Sequence, residues 1–473
     1  MKKFTKILLI GCLLVTVSCN NWLDVDPKSQ VKDKDLFASE MGFKEALSGV
    51  YSLMTKEGLY GKELTFGWLG VLGQEWTSVP YNYEDDQKYD FENAASEVRI
   101  DSVWTGLYNA IANANKLLKE LEGKENLFSG DNYSIIKGEV LALRAYLHFD
   151  LLRIFGASCT VGMERIAIPY VTEYAPTIFP QEKVGDFVGK VLKDLQDAAK
   201  CLENDPILTG CTVSEIDDNG YLMNRQVHLN YYAVKGLMAR VYLYKGDYAN
   251  AEVCAKEVIG SGCFEWVKQE NLTNESVADL TFSTEHLFAL NIVTLGNIVD
   301  KYLDGGNNSF ALEESRLSEY YGSSYDYRYL YLFKTGVGMS NTLRYLKKYD
   351  QLESVSWAQS YRNKLPLICL PEMYYILAEC RYHSSGDVLE PLNEVCRHRG
   401  VADLSEADLS AFETLLLAEY RKEVIGGGQL FFQYKRLNRS VVPGTDVDLA
   451  GEGRYVIPMP KEELENPGWV SNQ

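Results

Sequence analysis

The clearest pattern of apolar and polar positions lies in residues 228–258, where it predicts two helices joined by a tight turn. Gly246 stands at the end of the first helix, where a residue that tolerates positive φ is favoured. Asp247 follows it, and its side chain can cap the second helix. Small side chains on the first helix would let a second backbone approach closely, and they recur at Ala233, Gly236 and Ala239.

Helical spacing elsewhere predicts a chain built mostly of helices. The stretch 135–155 is apolar on almost every side, which predicts a central buried helix whose Arg144, Asp150 and Arg153 need partners. Residues 58–90 show no clean period and are predicted to be irregular, and the pattern weakens again from 260 to 359. Further helices are predicted at about 39–54, 101–118, 187–202, 371–383, 388–399, 410–423 and 429–437, with short strands at 285–292 and 343–349.

The central helix pair resembles a tetratricopeptide repeat, which has small residues within its helices and a Gly-Asp-Tyr turn between them. A single helical hairpin cannot bury its apolar face, so partner hairpins are expected elsewhere in the chain. The alternative is an ordinary helical hairpin that is not part of a repeat. The matching positions are Ala239, Tyr242, Gly246, Asp247, Tyr248 and Ala251.

The N-terminus is predicted to be a targeting signal. Lys2, Lys3 and Lys6 precede an apolar run at 7–17 that is too short to span a bilayer. Small residues then precede Cys19, which predicts a bacterial lipoprotein signal over 1–18 with Cys19 as the lipidated residue. Thr16 stands where Leu is commonest in such signals, so an ordinary signal peptide cut nearby is the alternative.

Charge and cysteine content limit the possible functions. The net charge of −19 at pH 7 argues against nucleic-acid binding, which needs a basic face. The ten cysteines form no C-x-x-C pair, so neither a zinc ribbon nor a thioredoxin motif is predicted. The disulfide pairing stays open, although Cys201 and Cys211 flank a loop and are the favoured pair.

No catalytic motif emerges from the chain. The five histidines form no H-E-x-x-H, and G-x-S-x-G, Walker and dinucleotide-binding motifs are missing from the sequence. Glu372 and Glu379 share one predicted helix face. Paired carboxylates are the catalytic groups of glycosidases, but these two are interpreted as structural. The acidic run 84–86 has the chemistry for calcium, although a solvated run of charge is preferred. No catalytic residue, metal or cofactor is therefore predicted.

A series of landmarks in fixed order resembles the SusD/RagB family, whose members are surface lipoproteins that partner TonB-dependent transporters in Bacteroides-type bacteria. No single landmark is specific, but together they span nearly the whole chain. They are Cys19 with L-D-V-D-P at 23–27, W-T-G-L-Y-N-A-I at 104–111, L-A-L-R-A-Y at 141–146, the helix pair around Gly246, P-E-M-Y-Y at 371–375, E-Y-R-K-E at 419–423 and I-P-M-P at 457–460.

The resemblance implies a mainly α fold, a SusD-like α-α superhelix of tetratricopeptide-like helix pairs with a loop-rich ligand-binding portion and a few short strands. It divides the chain into a signal peptide (1–18), a lipidated Cys and tether (19–38), an N-terminal part with the helix pairs (39–260) and a loop-rich C-terminal part (261–473). It implies a non-catalytic, lipid-anchored protein of the outer membrane, exposed at the cell surface. Such a protein captures oligosaccharides and delivers them to a SusC-like TonB-dependent transporter.

Glycan binding needs flat aromatic faces that stack on sugar rings, with amides or charged groups nearby for the hydroxyls. Loop aromatics are therefore the candidates, although most aromatic residues in a chain of this size belong to the core. The candidate ligand-binding residues are Trp68, Trp76, Tyr81, Asn82 and Tyr83 in the first loop, Tyr320, Tyr325 and Arg328 in the second half, and Trp357.

Two alternative functions remain open. A RagB-like member of the family would capture peptides in a polar cavity enclosed against the transporter. A tetratricopeptide scaffold that binds only protein would bury its loop aromatics and leave a concave repeat surface open. A glycan-binding protein would instead expose loop aromatics in a shallow groove away from the repeats.

Overall fold

The computed structural model describes residues 34–210, 220–274, 277–336, 342–351 and 361–472. The predicted signal peptide (1–18), Cys19, Cys211 and Trp357 lie outside the described residues. Within the described part, helices dominate and the strands are few and short. The prediction of a mainly α fold with paired helices is confirmed.

Long helices form the N-terminal part. Its elements are α1 (Glu40–Met54), α2 (Trp68–Leu72), α3 (Ala94–Leu121), α4 (Asn132–Phe155), β1 (Ile166–Pro169), β2 (Gln181–Lys183), α5 (Val184–Cys201) and α6 (Ile207–Gly210). Almost every residue of α4 is buried, because α3 and α5 both pack against it. This confirms that 135–155 lies within a central helix, which starts three residues earlier than the pattern predicted.

Side-chain caps set where these helices begin. The Ser39 hydroxyl accepts a hydrogen bond from the Gly42 amide at 3.3 Å, so α1 starts directly after Ser39. The Asn93 side-chain oxygen accepts from the amides of Ala95 and Ser96, both at 3.0 Å. This cap explains why α3 begins at residue 94 rather than at the predicted residue 101.

The central helix pair consists of α7 (Tyr231–Lys245) and α8 (Tyr248–Ile259). Gly246 ends α7 at a φ of +80°, and Asp247 accepts from the Asn250 amide at 3.2 Å, so both predicted turn roles are confirmed. A Cβ atom on Gly236 would lie 2.8 Å from Leu287. The small residue at 236 therefore admits a side chain of the first strand beyond α8, rather than a neighbouring helix backbone.

The C-terminal part alternates short strands with helices. Its elements are α9 (Glu270–Thr273), β3 (His286–Asn291), α10 (Leu295–Tyr302), β4 (Leu312–Glu313), α11 (Glu314–Tyr321), α12 (Tyr327–Tyr331), β5 (Phe333–Thr335), β6 (Leu343–Leu346), β7 (Lys364–Cys369), α13 (Leu370–His383), α14 (Leu389–His398), α15 (Phe412–Val424) and α16 (Leu430–Arg436). Antiparallel pairing joins β1 to β2, β3 to β7, and β6 to both β4 and β5. The predicted strands at 285–292 and 343–349 are present, and α13 packs against α7, α8, α14 and α15.

Buried ion pairs hold the helices together. Arg144 of α4 pairs with Asp194 of α5 at 2.7 Å, and Asp150 pairs with Arg153 within α4. The predicted need of these three residues for partners is thus met. The carboxylates of Glu372 and Glu379 are likewise occupied by Arg240 and Arg436, at 2.6 and 2.7 Å, which fits their structural interpretation.

One apolar core contains buried residues from both sides of the predicted division at 260/261, including Leu237 and Ile368. The division itself stays a prediction. Among the described residues, no helix is long and apolar enough to cross a membrane.

The prediction of a disulfide between Cys201 and Cys211 is wrong. Cys201 is a free thiol, whereas Cys263 is disulfide-bonded. Cys201 is the last residue of α5 and is half-buried against the core, where its side chain serves as a small apolar group. Cys254, Cys380 and Cys396 are free and buried, as their helical positions predicted.

Candidate functional site

The two loop tryptophans predicted to bind ligand belong to the core. Trp68 begins α2, and its buried indole donates to the Asp86 carboxylate at 2.9 Å. Trp76 donates from its indole to the Phe66 carbonyl oxygen at 2.7 Å and is buried beside Phe310. Neither ring has surface left for a sugar, so the prediction is corrected for both.

Tyr83 and Arg328 are also corrected. Tyr83 is buried, and its hydroxyl donates to Glu63 at 2.9 Å. Arg328 is buried among the carboxylates of Asp326, Glu419 and Glu423, at 2.7, 3.2 and 3.0 Å. A guanidinium enclosed in this way stabilises the packing of α12 on α15 and offers no free hydrogen-bond donor to a ligand.

The remaining described candidates reach the surface. Tyr81 is 86% exposed and Tyr325 is 76% exposed, which makes them the most exposed tyrosines among the large hydrophobic side chains of the described residues. Asn82 is exposed, and Tyr320 is half-buried with the Arg421 guanidinium 4.2 Å from its ring centre. We call Tyr81, Asn82, Tyr320 and Tyr325 the loop face.

Backbone pairing joins the two chain segments that lead to the loop face. Ser78 and Ala311 form an isolated antiparallel bridge, and the Thr77 hydroxyl accepts from the Glu313 amide at 2.7 Å. Tyr81 follows this junction on one segment, while α11 with Tyr320 follows it on the other. Both segments were predicted from the sequence to carry ligand-binding residues, but no sequence feature indicated that their backbones pair.

The acidic run beneath Tyr81 is divided between surface and core. Glu84 and Asp85 are exposed, whereas Asp86 is buried and paired with Arg99. Burial raises the pKa of Asp86 to about 6, against the opposing effect of Arg99. Because its oxygens are occupied by Arg99 and the Trp68 indole, Asp86 serves the packing of the loop.

A second buried carboxylate, Glu75, belongs to the same irregular stretch of the chain. One oxygen accepts from the Gly426 amide at 2.7 Å, and the other has no hydrogen-bond partner among the described residues. Burial raises the pKa of Glu75 to about 8, although Gly426 and the more distant Lys348 and Arg421 oppose the shift. The carboxyl group therefore holds a proton near neutral pH.

Sequence reasoning missed a pair of cavities along α3. The first, of about 720 Å³, is lined by residues 88–92, α3 and tail residues 458–462. The second, of about 400 Å³, is lined by Trp104 and Tyr108 of α3, Phe179 and Trp469. In the sequence, Trp104 and Tyr108 have the spacing of ordinary core positions of a helix. The one sequence feature that could have indicated a cavity here is Trp469, a tryptophan in a polar tail.

The described residues form a mainly helical protein with a loop-rich surface, and comparisons with known proteins indicate its family. A sequence profile described as "Starch-binding associating with outer membrane" matches residues 21–243. SusD-like protein P38 of Formosa agariphila is 24% identical over 269 residues, which are 56% of this chain and 47% of the relative. SusD-like protein P25 of the same organism is 24% identical over 166 residues, or 33% of this chain and 31% of the relative. The matches thus span about half the length of these relatives, or less.

Solved structures agree on the fold. A SusD superfamily protein from Bacteroides thetaiotaomicron superposes with a TM-score of 0.74 at 21% identity, covering 92% of this chain and 100% of the other. A structure described as a laminarin binding SusD-like protein gives a TM-score of 0.64 at 18% identity, covering 91% and 100%. The sequence profile, the SusD-like relatives and the shared fold together support a protein of the SusD/RagB family, whose SusD-like members are binding proteins rather than enzymes.

Proposed function

We propose that the protein is a surface-exposed lipoprotein that captures oligosaccharides on its loop face and delivers them to a SusC-like TonB-dependent transporter. The observation that carries this proposal is the exposure of Tyr81 and Tyr325 on segments joined by the Ser78–Ala311 bridge. Exposed aromatic rings cost free energy in water unless a partner covers them, and sugar rings offer matching apolar faces. Relatives described as starch-binding and laminarin binding support the ligand class.

Charge narrows the class of glycan. The net charge of −19 gives the protein a negative field that disfavours uronate-rich or sulfated polysaccharides. Near Tyr81 the exposed Glu84 and Asp85 add to that field. We therefore propose a neutral glycan as the ligand.

Affinity electrophoresis tests glycan capture directly. Protein starting at residue 20 runs through gels that contain plant, host and microbial polysaccharides, beside Tyr81→Ala, Tyr325→Ala and the double variant. One neutral polysaccharide is expected to retard the wild type, and the double variant is expected to lose most of the retardation. Val253→Ala, which shortens an exposed side chain on α8, is the matched control and should run like the wild type. Unchanged retardation of the double variant would reject the loop face as the site.

Burial of Trp68, Trp76 and Tyr83 is what a scaffold that binds only protein would show, so this function is the second candidate. It predicts no retardation by any polysaccharide in the panel. Co-purification with the transporter, with mass spectrometry of any bound peptide, would then distinguish a scaffold from a peptide-capturing protein.

The lipid anchor is the other part of the proposal. Cys19→Ser removes the thiol that would carry the lipid, so the protein should leave the outer-membrane fraction and take up no labelled palmitate. Cys201→Ser, at a described free cysteine, is the control and should stay in the membrane fraction. Membrane retention of the Cys19→Ser protein would contradict lipidation at this residue.

A further inference from the structure

Two cavities are lined by successive residues of α3 and by successive residues of the C-terminal tail. The first lies between residues 97–101 of α3 and tail residues 458–462, and the second between residues 104–109 of α3 and tail residues 463–469. Residues 97–109 of a helix span about 18 Å at 1.5 Å per residue. We call the two cavities together the α3–tail groove, because both border this one stretch of helix and the same tail, on either side of the Trp104–Glu463 hydrogen bond.

Aromatic rings form one end of the groove. Trp104 donates from its indole to Glu463 at 3.0 Å, and Trp469 donates to the Phe179 carbonyl oxygen at 3.2 Å. The Tyr108 hydroxyl donates to the Pro169 carbonyl oxygen at 2.9 Å. Because these polar groups are already paired within the protein, any ring surface that is left for a ligand is apolar. Trp104 is itself buried and forms the floor of the cavity lining rather than an exposed face. Tyr108, Phe179 and Trp469 are half-buried, so part of each ring faces solvent.

Hydrogen bonds hold the tail wall in place. Gln181 of β2 exchanges two hydrogen bonds with the backbone of Val470, at 2.7 and 2.9 Å. The Asn472 amide donates to the carbonyl oxygens of Phe155 and Ile457, at 2.6 and 2.8 Å. Trp469 is therefore fixed before a ligand arrives, which lowers the entropy that binding costs.

Polar groups form the other end. Five carboxylates and three cationic side chains line the larger cavity, and Lys461 pairs with Glu97. Partial burial, together with the nearby Glu462 and Glu97, raises the pKa of Asp101. The excess of carboxylates repels anionic ligands, while their oxygens can accept hydrogen bonds from hydroxyl groups.

We propose that the α3–tail groove is a second binding site, for an extended neutral oligosaccharide. The proposal goes beyond the loop face, and its ligand class rests on the proposed glycan function. Sugar C–H faces suit the aromatic end, and sugar hydroxyls suit the carboxylate end. A basic peptide is the main alternative, because carboxylates outnumber cations in the larger cavity. It fits less well at the aromatic end, where the single carboxylate, Glu463, is already bound to Trp104 and Asn466.

Fluorine NMR can follow this site separately from the loop face. Protein starting at residue 20 is labelled with 5-fluorotryptophan, and Trp469→Phe and Trp266→Phe assign two signals. Trp266 is half-buried like Trp469 but stacks on His398 outside the groove, so its signal is the internal control. The probes are maltohexaose, laminarihexaose, cellohexaose, xylohexaose and mannohexaose, with hexalysine as the peptide comparison.

A saturable shift of the Trp469 signal by one hexasaccharide, with the Trp266 signal unmoved, is the expected result. The shift should persist in Tyr81→Ala, and Trp469→Ala should weaken binding at this site about tenfold. Trp266→Ala is the matched variant and should leave the affinity unchanged, which separates loss of a contact from loss of folding.

The outcomes distinguish this proposal from the proposed function. If Tyr81→Ala abolishes the retardation in gels and no saccharide moves the Trp469 signal, the α3–tail groove is rejected as a binding site. The loop face then remains the proposed site. A shift caused by hexalysine alone overturns the saccharide ligand. If no saccharide retards the protein or moves a tryptophan signal, both proposals fall together.

Discussion

Tryptophans from two regions of this protein differ in exposure. Trp68 and Trp76, the covered pair, lie in an irregular, aromatic-rich stretch that looks like a binding loop, yet both rings are enclosed by the core. Trp104 on α3 is buried as well, whereas Trp469 in the tail is half-buried, and both line the smaller cavity along α3. All four indoles donate hydrogen bonds to protein acceptors, so pairing of the N–H group does not separate them. What separates Trp469 from the other three is the exposed part of its ring.

The largest expected effect on the free energy of unfolding comes from mutating Trp68, one of the covered pair. Trp68→Ala should lower the free energy of unfolding by about 3–5 kcal/mol, because it opens a cavity in the core and removes the hydrogen bond to Asp86. Urea denaturation followed by circular dichroism measures the change. Trp68→Phe keeps most of the ring and should cost clearly less. A Trp68→Ala protein of normal stability with lost glycan binding would restore Trp68 as a ligand residue.

Mutation of Arg328 gives a second test of whether a buried candidate residue stabilises the fold or binds ligand. Arg328→Met leaves Asp326, Glu419 and Glu423 without their shared cation and should cost about 3 kcal/mol or more in unfolding free energy. Arg397→Met is the matched control, because Arg397 makes exposed pairs with Glu394 and Asp403, and its loss should leave the unfolding free energy close to the wild-type value. Equal losses for both variants would contradict the structural role of Arg328.

The buried carboxyl group of Glu75 should make the stability of the folded protein depend on pH. Its pKa is about 8 in the folded protein against an ordinary value of 4.5, so the folded state binds more protons between these values. Stability from this group is therefore greatest below about pH 4.5 and is lost as the pH rises through about 8. Glu75→Gln should remove this part of the slope and make the protein more stable than the wild type above pH 8.

Thermal unfolding from pH 5 to 9 measures the effect. Glu84→Gln, at an exposed carboxylate of the same loop, is the control and should follow the wild-type curve. Parallel curves for the wild type and Glu75→Gln would show that Glu75 is ionised in the folded protein.

Much of the fold could be predicted, because its helices carry strong local signals. The turn at Gly246–Asp247 and the central helix α4 follow from glycine conformation, side-chain capping and apolar spacing. The α10–α12 region was missed, because helices of five to eight residues show too few turns for a period to be recognised.

The candidate site was predicted only in part. Sequence composition selected two segments that carry exposed tyrosines, but exposure depends on long-range contacts such as the Ser78–Ala311 bridge and the packing of Phe310 on Trp76. These contacts join residues more than 200 positions apart in the chain. Nothing in the local sequence distinguishes Tyr81, which is exposed, from Tyr83, which is buried two residues later.

The smallest expected effect on stability belongs to the exposed tyrosines. Tyr81→Ala and Tyr325→Ala remove rings that are 86% and 76% exposed, so each should change the free energy of unfolding by less than about 0.5 kcal/mol. Tyr83→Ala, two residues from Tyr81, removes a buried ring bonded to Glu63 and should cost several times more. Denaturation curves measured beside the gel retardation of the same variants separate the two effects. A binding loss in Tyr81→Ala without a stability loss would place ligand contact at the exposed ring. A stability loss as large as that of Tyr83→Ala would instead show that the Tyr81 ring is packed in solution, and the loop face would lose its main support.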